Sequence, residues 1–263
     1  MLIIPSHPQT EMERLDLELH AHTLLLGGEH HLAPLKDPKK ILDVGTGTGL
    51  WAIEMADRFP NATVIGVDLS PIQPEWVPDN LQFEIDDIES TWLWKPSTFD
   101  YIHSRLMISS ISDWNQLCKN AFDHLKPGGW LELQELDPRV LSDDGTHEQA
   151  PNHSSFINHI IEACKQLGRP ISKYSEHKAF LEEAGFVDIE EHFFKVPINT
   201  WPRDPQLKEV GKCILASYFA GYEGIGIGFF TRVLGWTADE FAVYLARIRA
   251  ELKDRRLHTY HTL

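Results

Sequence analysis

The chain has 263 residues, 42% apolar and 24% charged, so it can bury a large core without disulfides or a structural metal and is too apolar for a disordered segment. Lys plus Arg number 24 against 39 Asp plus Glu, a formal charge of −15 that repels phosphate backbones and anionic headgroups and sets nucleic-acid binding aside. Cys118, Cys164 and Cys213 lie far apart with no Cys-x-x-Cys pair, which argues against a zinc ribbon or disulfide framework and for a reducing, cytoplasmic compartment.

The N-terminal apolar run is short and broken by Pro5 and Pro8, unlike a signal peptide. No window approaches the roughly 18 apolar residues of a membrane span. Thr10 and Glu13 have the form of a capping box, and Leu15, Leu19, His22 and Leu26 recur at helical spacing up to Gly27-Gly28. Residues 41–44 read as a buried strand, 48–59 as a helix ended by Pro60, and 63–67 as a second strand. Pro71, Pro74 and Pro78 disfavour a crossover helix before the third strand, 81–85. A fourth strand is predicted at 99–103, a helix capped by Asp113 at 113–125, a turn at Pro127-Gly128-Gly129 and a fifth strand at 130–136. Helices follow near 154–167 and 176–184, then a long strand at 186–196. Residues 206–253 are helical in pattern, interrupted by Gly221, Gly224, Gly226 and Gly228. Strands separated by helix-length crossovers predict an α/β fold with a doubly wound, mostly parallel sheet in one domain.

The tract Asp43-Val44-Gly45-Thr46-Gly47-Thr48-Gly49 joins a predicted strand to a predicted helix, where glycines permit positive φ and let a ligand touch the backbone. Asp68 follows Gly49 by nineteen residues, at a strand end, where a carboxylate can accept both hydroxyls of a ribose. A dinucleotide and S-adenosylmethionine both suit such a loop. The G-x-G-x-G spacing with an acid two residues ahead favours the second, which has no phosphate and carries a cationic ammonium and sulfonium.

In these segments the sequence resembles class I S-adenosylmethionine-dependent methyltransferases, and among them the fungal LaeA-like group. The likeness runs from RLDLELHAHTLLLGG (14–28) through ILDVGTGTGLWAIEMA, VIGVDLSPIQPEWVP, FEIDDIE, FDYIHSR, LKPGGWLELQELD and EEAGFVDIEEHFFKVPINTWPRD to TRVLGW (231–236). It implies a Rossmann-like sheet of seven strands, with an N-terminal covering helix (1–28), a cofactor-binding core (40–137) and a helical lid (198–253). Family members continue past residue 263, so the seventh strand is expected to be short here.

The resemblance further implies that Asp43, Gly45, Thr46, Gly47 and Gly49 form the methionine-side loop, that Asp68 holds the ribose, and that Leu69, Asp87 and Ile88 receive the adenine. His103 and Arg105 would lie where the cofactor's amino acid meets the substrate. For proton transfer the candidates are Glu135, at the end of the fifth strand, and His20, on the covering helix, with Arg105 beside them. Tyr218, Tyr222 and Phe229 are candidates for an apolar acceptor pocket. No metal site is expected. The predicted activity is methyl transfer to a small molecule of fungal secondary metabolism, yielding S-adenosylhomocysteine. The alternatives are a LaeA-type regulator acting in a nuclear protein complex and a cofactor-binding cyclising catalyst. A protein partner or a homodimer is compatible with each; nucleic acid and membrane are not expected partners.

Overall fold

The computed structural model describes residues 8–263; the short apolar run at residues 1–4 lies outside them. In chain order its elements are α1 (Pro8–Leu25), β1 (Lys40–Val44), α2 (Leu50–Arg58), β2 (Thr63–Asp68), β3 (Leu81–Ile85), β4 (Phe99–Arg105), α3 (Trp114–His124) and β5 (Leu125–Gln134). They continue with β6 (Asp137–Leu141), α4 (Pro151–Gln166), α5 (Tyr174–Ala184), β7 (Lys195–Pro197), α6 (Pro205–Arg232), α7 (Ala238–Lys253) and β8 (Tyr260–Thr262). The chain forms two compact units: Glu29–Leu136 with Ser172–Glu191, and the described residues up to Gly28 with Asp137–Ile171 and His192–Leu263.

The first unit is built on five parallel strands in the order β3-β2-β1-β4-β5. Ile41, Leu42 and Val44, then Val64, Ile65 and Val67, then Phe99, Tyr101 and Ile102 are all buried. Such continuous apolar runs belong to parallel strands covered on both faces. The order reverses between β1 and β4, which makes their carboxyl ends a topological switch point. The prolines keep the β2–β3 connection free of helix, as predicted. Asp113 caps α3 by accepting the Gln116 N–H at 2.9 Å.

Several expectations change. The expected single sheet of seven strands is not what the described residues form: five parallel strands make the sheet of the first unit, and β6, β8 and β7 form a separate antiparallel sheet in the second. The predicted turn at Pro127-Gly128-Gly129 is a bulge inside β5, where the register with β4 jumps from Phe99–Leu125 to Tyr101–Trp130. The long strand at 186–196 shrinks to Lys195–Pro197, since Asp188 takes φ 53° and breaks the extended run. Thr10 lies within the first turn of α1 rather than ahead of it, so the capping box does not form there.

In the second unit α6 runs unbroken for 28 residues through Gly221, Gly224, Gly226 and Gly228. These glycines adapt the helix to its neighbours: a Cβ at Gly226 would collide with the Phe241 ring, and one at Gly221 with the Arg14 side chain. By length and composition α6 would suffice to cross a membrane, more than the sequence reading allowed any stretch. Of its most apolar window 56% is buried inside the structure, so that apolarity serves the core.

Candidate cofactor site at the switch point

Gly45, Gly47 and Gly49 all take left-handed conformations, with φ of 71°, 57° and 80°. Their backbone is tied to the end of β2. Gly45 and Thr46 N–H groups both donate to the Val67 carbonyl, and Gly47 N–H donates to Asp68 Oδ2 at 2.9 Å. Packing adds a second demand for glycine: a Cβ at Gly45 would strike Met107 Sδ, and one at Gly49 the ring of Phe83. The loop ends in glycine rather than a capping side chain, which leaves the first-turn N–H groups of α2 facing outward.

Asp43, Thr46 and His103 hold this loop from beneath. Asp43 Oδ1 lies 2.8 Å from His103 Nδ1, and Thr46 Oγ1 donates to Asp43 Oδ2 at 2.6 Å. Asp43 is 3% exposed and His103 1%. The β1–β4 register sets the two residues side by side, and Trp51, in the first turn of α2, stacks on the imidazole. Asp43 and His103, both expected near the cofactor's amino-acid end, are buried beside the base of the glycine loop.

The rim of the site is carried by β2 and β3. Asp68 accepts from Gly47 and Ser70 N–H groups, and its remaining lone pairs suit two ribose hydroxyls. Leu69, 47% exposed, and Ile85, paired with Asp68 across the strands, offer exposed apolar surface beside it. Asp87 is exposed and turns the chain by accepting the Glu89 N–H, while Ile88 packs into the core. A carboxylate pair flanking apolar side chains fits a ribose and a flat heterocycle.

Beyond β4 the chain makes a strained step, with Leu106 at φ 55°. Met107 N–H then donates to Glu135 Oε1 at 3.2 Å. Glu135 is 6% exposed, its Oε2 has no hydrogen-bond partner, and burial pushes its carboxyl up to about 8. A carboxylic acid so placed can exchange a proton near neutrality. Arg105 is near enough for its charge to act on both Glu135 and His30.

The helical unit holds the remaining candidates. His20 is exposed on α1. Tyr218 and Tyr222 are buried and stacked, with centroids 4.5 Å apart, and the Tyr222 hydroxyl lies 2.9 Å from His153 Nε2. Phe229 is also buried on α6. Sequence reasoning missed His153, and it missed His30 with Glu54 in the first unit, 2.7 Å apart. The available signal was the doublet His30-His31, one residue past the glycine stop. Among the described residues no group of three or more His, Cys, Asp or Glu side chains could hold a metal ion.

Comparison with known proteins agrees with this geometry. A family profile described as a methyltransferase domain matches residues 18–191. The chain is 42% identical over 251 residues to the methyltransferase pytC of Aspergillus terreus, covering 94% of this chain and 77% of that protein. It is 36% identical to the secondary metabolism regulator LAE1 of Cochliobolus heterostrophus, covering 97% and 85%. The solved YcgJ protein of Bacillus subtilis is similar in fold, with a TM-score of 0.54 at 18% identity over 92% of this chain and 96% of that one.

Proposed function

Because the chain belongs to the class I methyltransferases, in their LaeA-like group, we propose that it methylates a small-molecule acceptor of fungal secondary metabolism. The observation that carries this reading is the glycine loop at the switch point, with three left-handed glycines latched to Asp68. When bound, S-adenosylmethionine supplies an electrophilic methyl group on a sulfonium and leaves as S-adenosylhomocysteine.

The chain's own residues position and protect. Asp68 holds the ribose hydroxyls by charge-assisted hydrogen bonds. Leu69 and Ile85 pack on the adenine, with Asp87 accepting from its amino group and Ile88 N–H facing the ring. Thr46, Asp43 and His103 fix the loop, so that its backbone needs no rearrangement when the methionine end arrives. Glu135 is the favoured group for proton transfer, because it is buried and burial raises its carboxyl to about 8, within reach of neutral pH. His20, exposed on α1, is the weaker candidate. In the helical unit, Tyr218, Tyr222 and Phe229 supply the aromatic surface for the acceptor, and His153 orients the Tyr222 hydroxyl.

A second reading, a regulator of secondary metabolism working in a nuclear protein complex, is favoured by the 36% identity to LAE1. One experiment separates the two. The protein is incubated with methyl-labelled S-adenosylmethionine and an organic extract of fungal culture. Label in the small-molecule fraction supports the enzyme. Calorimetric binding of the cofactor with label confined to protein, or with no transfer, supports the regulator. Tight NAD binding with no response to S-adenosylhomocysteine overturns both.

A further inference from the structure

Asp68 and Gln73 close a ring of hydrogen bonds with the glycine loop. The Asp68 carboxylate accepts from Gly47 N–H through Oδ2 and from Ser70 N–H through Oδ1, each at 2.9 Å. The Gln73 carboxamide serves the same two residues at their carbonyls. Its Nε2 donates to the Gly47 carbonyl at 2.7 Å and to the Ser70 carbonyl at 2.9 Å. Both contacts are carbonyl oxygens, so the atom facing them has to be the amide nitrogen, and both of its hydrogens are committed. The chain turns back to bring Gln73 there: Ile72 N–H donates to the Ser70 carbonyl at 2.9 Å in a three-residue turn, and Pro71 and Pro74 stiffen the backbone before and after Gln73.

Gly47 stands at φ 57° and has no side chain to hold its place, so its orientation depends on what its N–H and carbonyl meet. Asp68 takes the first and Gln73 the second. Without Gln73 the carbonyl side of Gly47 would lose its hold, and the N–H on the other side would lose its aim. We propose that Gln73 is a positioning residue for cofactor binding: by holding the carbonyls of Gly47 and Ser70 it aims their N–H groups at Asp68, and so fixes the carboxylate for the two ribose hydroxyls. The proposal rests on the cofactor reading above and extends it to the connection between β2 and β3. Gln73 acts through Asp68 and not on the ligand. A neutral hydrogen bond on a half-exposed loop contributes little by itself, but an acceptor held in place beforehand need not be ordered when the ligand arrives.

S-adenosylhomocysteine titrated calorimetrically into the whole chain tests this, with circular dichroism as the check on folding. Gln73→Ala should weaken binding by about five- to ten-fold. In an Asp68→Ala background, which has no carboxylate left to aim, the same change should cost less than about two-fold. Gln73→Glu keeps the shape but, once ionised, sets an acceptor against two carbonyls. The carbonyls and Asp68 raise its titration above the ordinary value of about 4.3. Relative to the unaltered chain it should therefore bind about ten-fold more weakly at pH 8, and recover to within about three-fold at pH 5, where protonation returns one donor. Unchanged binding by Gln73→Ala would remove the residue from the site. A loss that is equal with and without Asp68, or a Gln73→Glu deficit that is flat with pH, would make it a general support of the fold. Each of these results overturns the proposal. If the unaltered chain does not bind S-adenosylhomocysteine, the cofactor reading itself fails and the proposal falls with it.

Discussion

The indole of Trp51 lies flat on the imidazole of His103, with ring centroids 3.7 Å apart and planes within 7°. Through this contact the first turn of α2 rests on the residue that partners Asp43, so the helix after the glycine loop and the acid before it share one buried support. Replacing His103 with Ala would leave Asp43 Oδ1 unpaired in the core and remove the surface under Trp51. The expected result is a loss of about 2 kcal/mol or more, read by urea unfolding, together with weaker S-adenosylhomocysteine binding.

Asp68 serves the loop and the ligand at once. Asp68→Ala should reduce S-adenosylhomocysteine affinity by at least about ten-fold, measured by calorimetry. Part of that loss comes from releasing the Gly47 N–H. Asp68→Asn, which keeps one acceptor oxygen, should lose less than Asp68→Ala. Equal binding by all three proteins would remove Asp68 from the ribose site.

Gly47→Val should abolish cofactor binding in a chain that still folds, because a β-branched residue resists φ 57° and fills ligand space. Circular dichroism confirms folding while calorimetry reads the binding.

Burial raises the Glu135 carboxyl from an ordinary 4.5 to about 8. The folded state therefore keeps a proton that the unfolded state releases between these values, and stability falls as pH rises through that window. The slope approaches about 1.4 kcal/mol per pH unit. Glu135→Gln removes the titration, so the variant should gain on the unaltered protein steadily from about pH 5 to pH 8. Denaturant unfolding at four or five pH values shows whether the two curves diverge.

Gly226→Ala improves helix propensity by about 1 kcal/mol, yet its methyl would meet the Phe241 ring and crowd Phe156. Overpacking outweighs propensity at such sites, so the variant should be less stable by about 1–2 kcal/mol net. Gly211→Ala should be worse, since its Cβ would meet the Asn199 backbone carbonyl rather than a side chain. Thermal melts of both variants give the order.

The sequence made local features legible where the residues determine them alone. Asp113 caps its helix as predicted, the prolines after Asp68 exclude a crossover helix, and the glycine loop sits between strand and helix. What it concealed depends on partners distant in the chain. The β-branched and aromatic run from Phe186 reads as a strand, but a strand needs a neighbour, and pairing begins only near Lys195. The α6 glycines read as breaks because propensity counts their entropy and not Phe241 or Arg14 packed against them. The support that His103 gives to α2 is not legible, since nothing in its vicinity discloses that Trp51, fifty-two positions earlier, stacks on it. His30 stands out only as part of a histidine doublet, because its position is fixed through its carbonyl, which every residue possesses.

The central strand of the antiparallel sheet, β8, is also the last element of the chain, and both of its neighbours precede it by more than sixty residues. During synthesis β6 and β7 emerge with no strand to lie between them, and their sheet waits for residues 260–262. The glycine loop, β1 to β5 and α3 are complete by Gln134 and can assemble while the ribosome is still translating α6. Shortening the chain by four residues would thus remove the strand that joins β6 to β7, while every strand of the parallel sheet would remain in place.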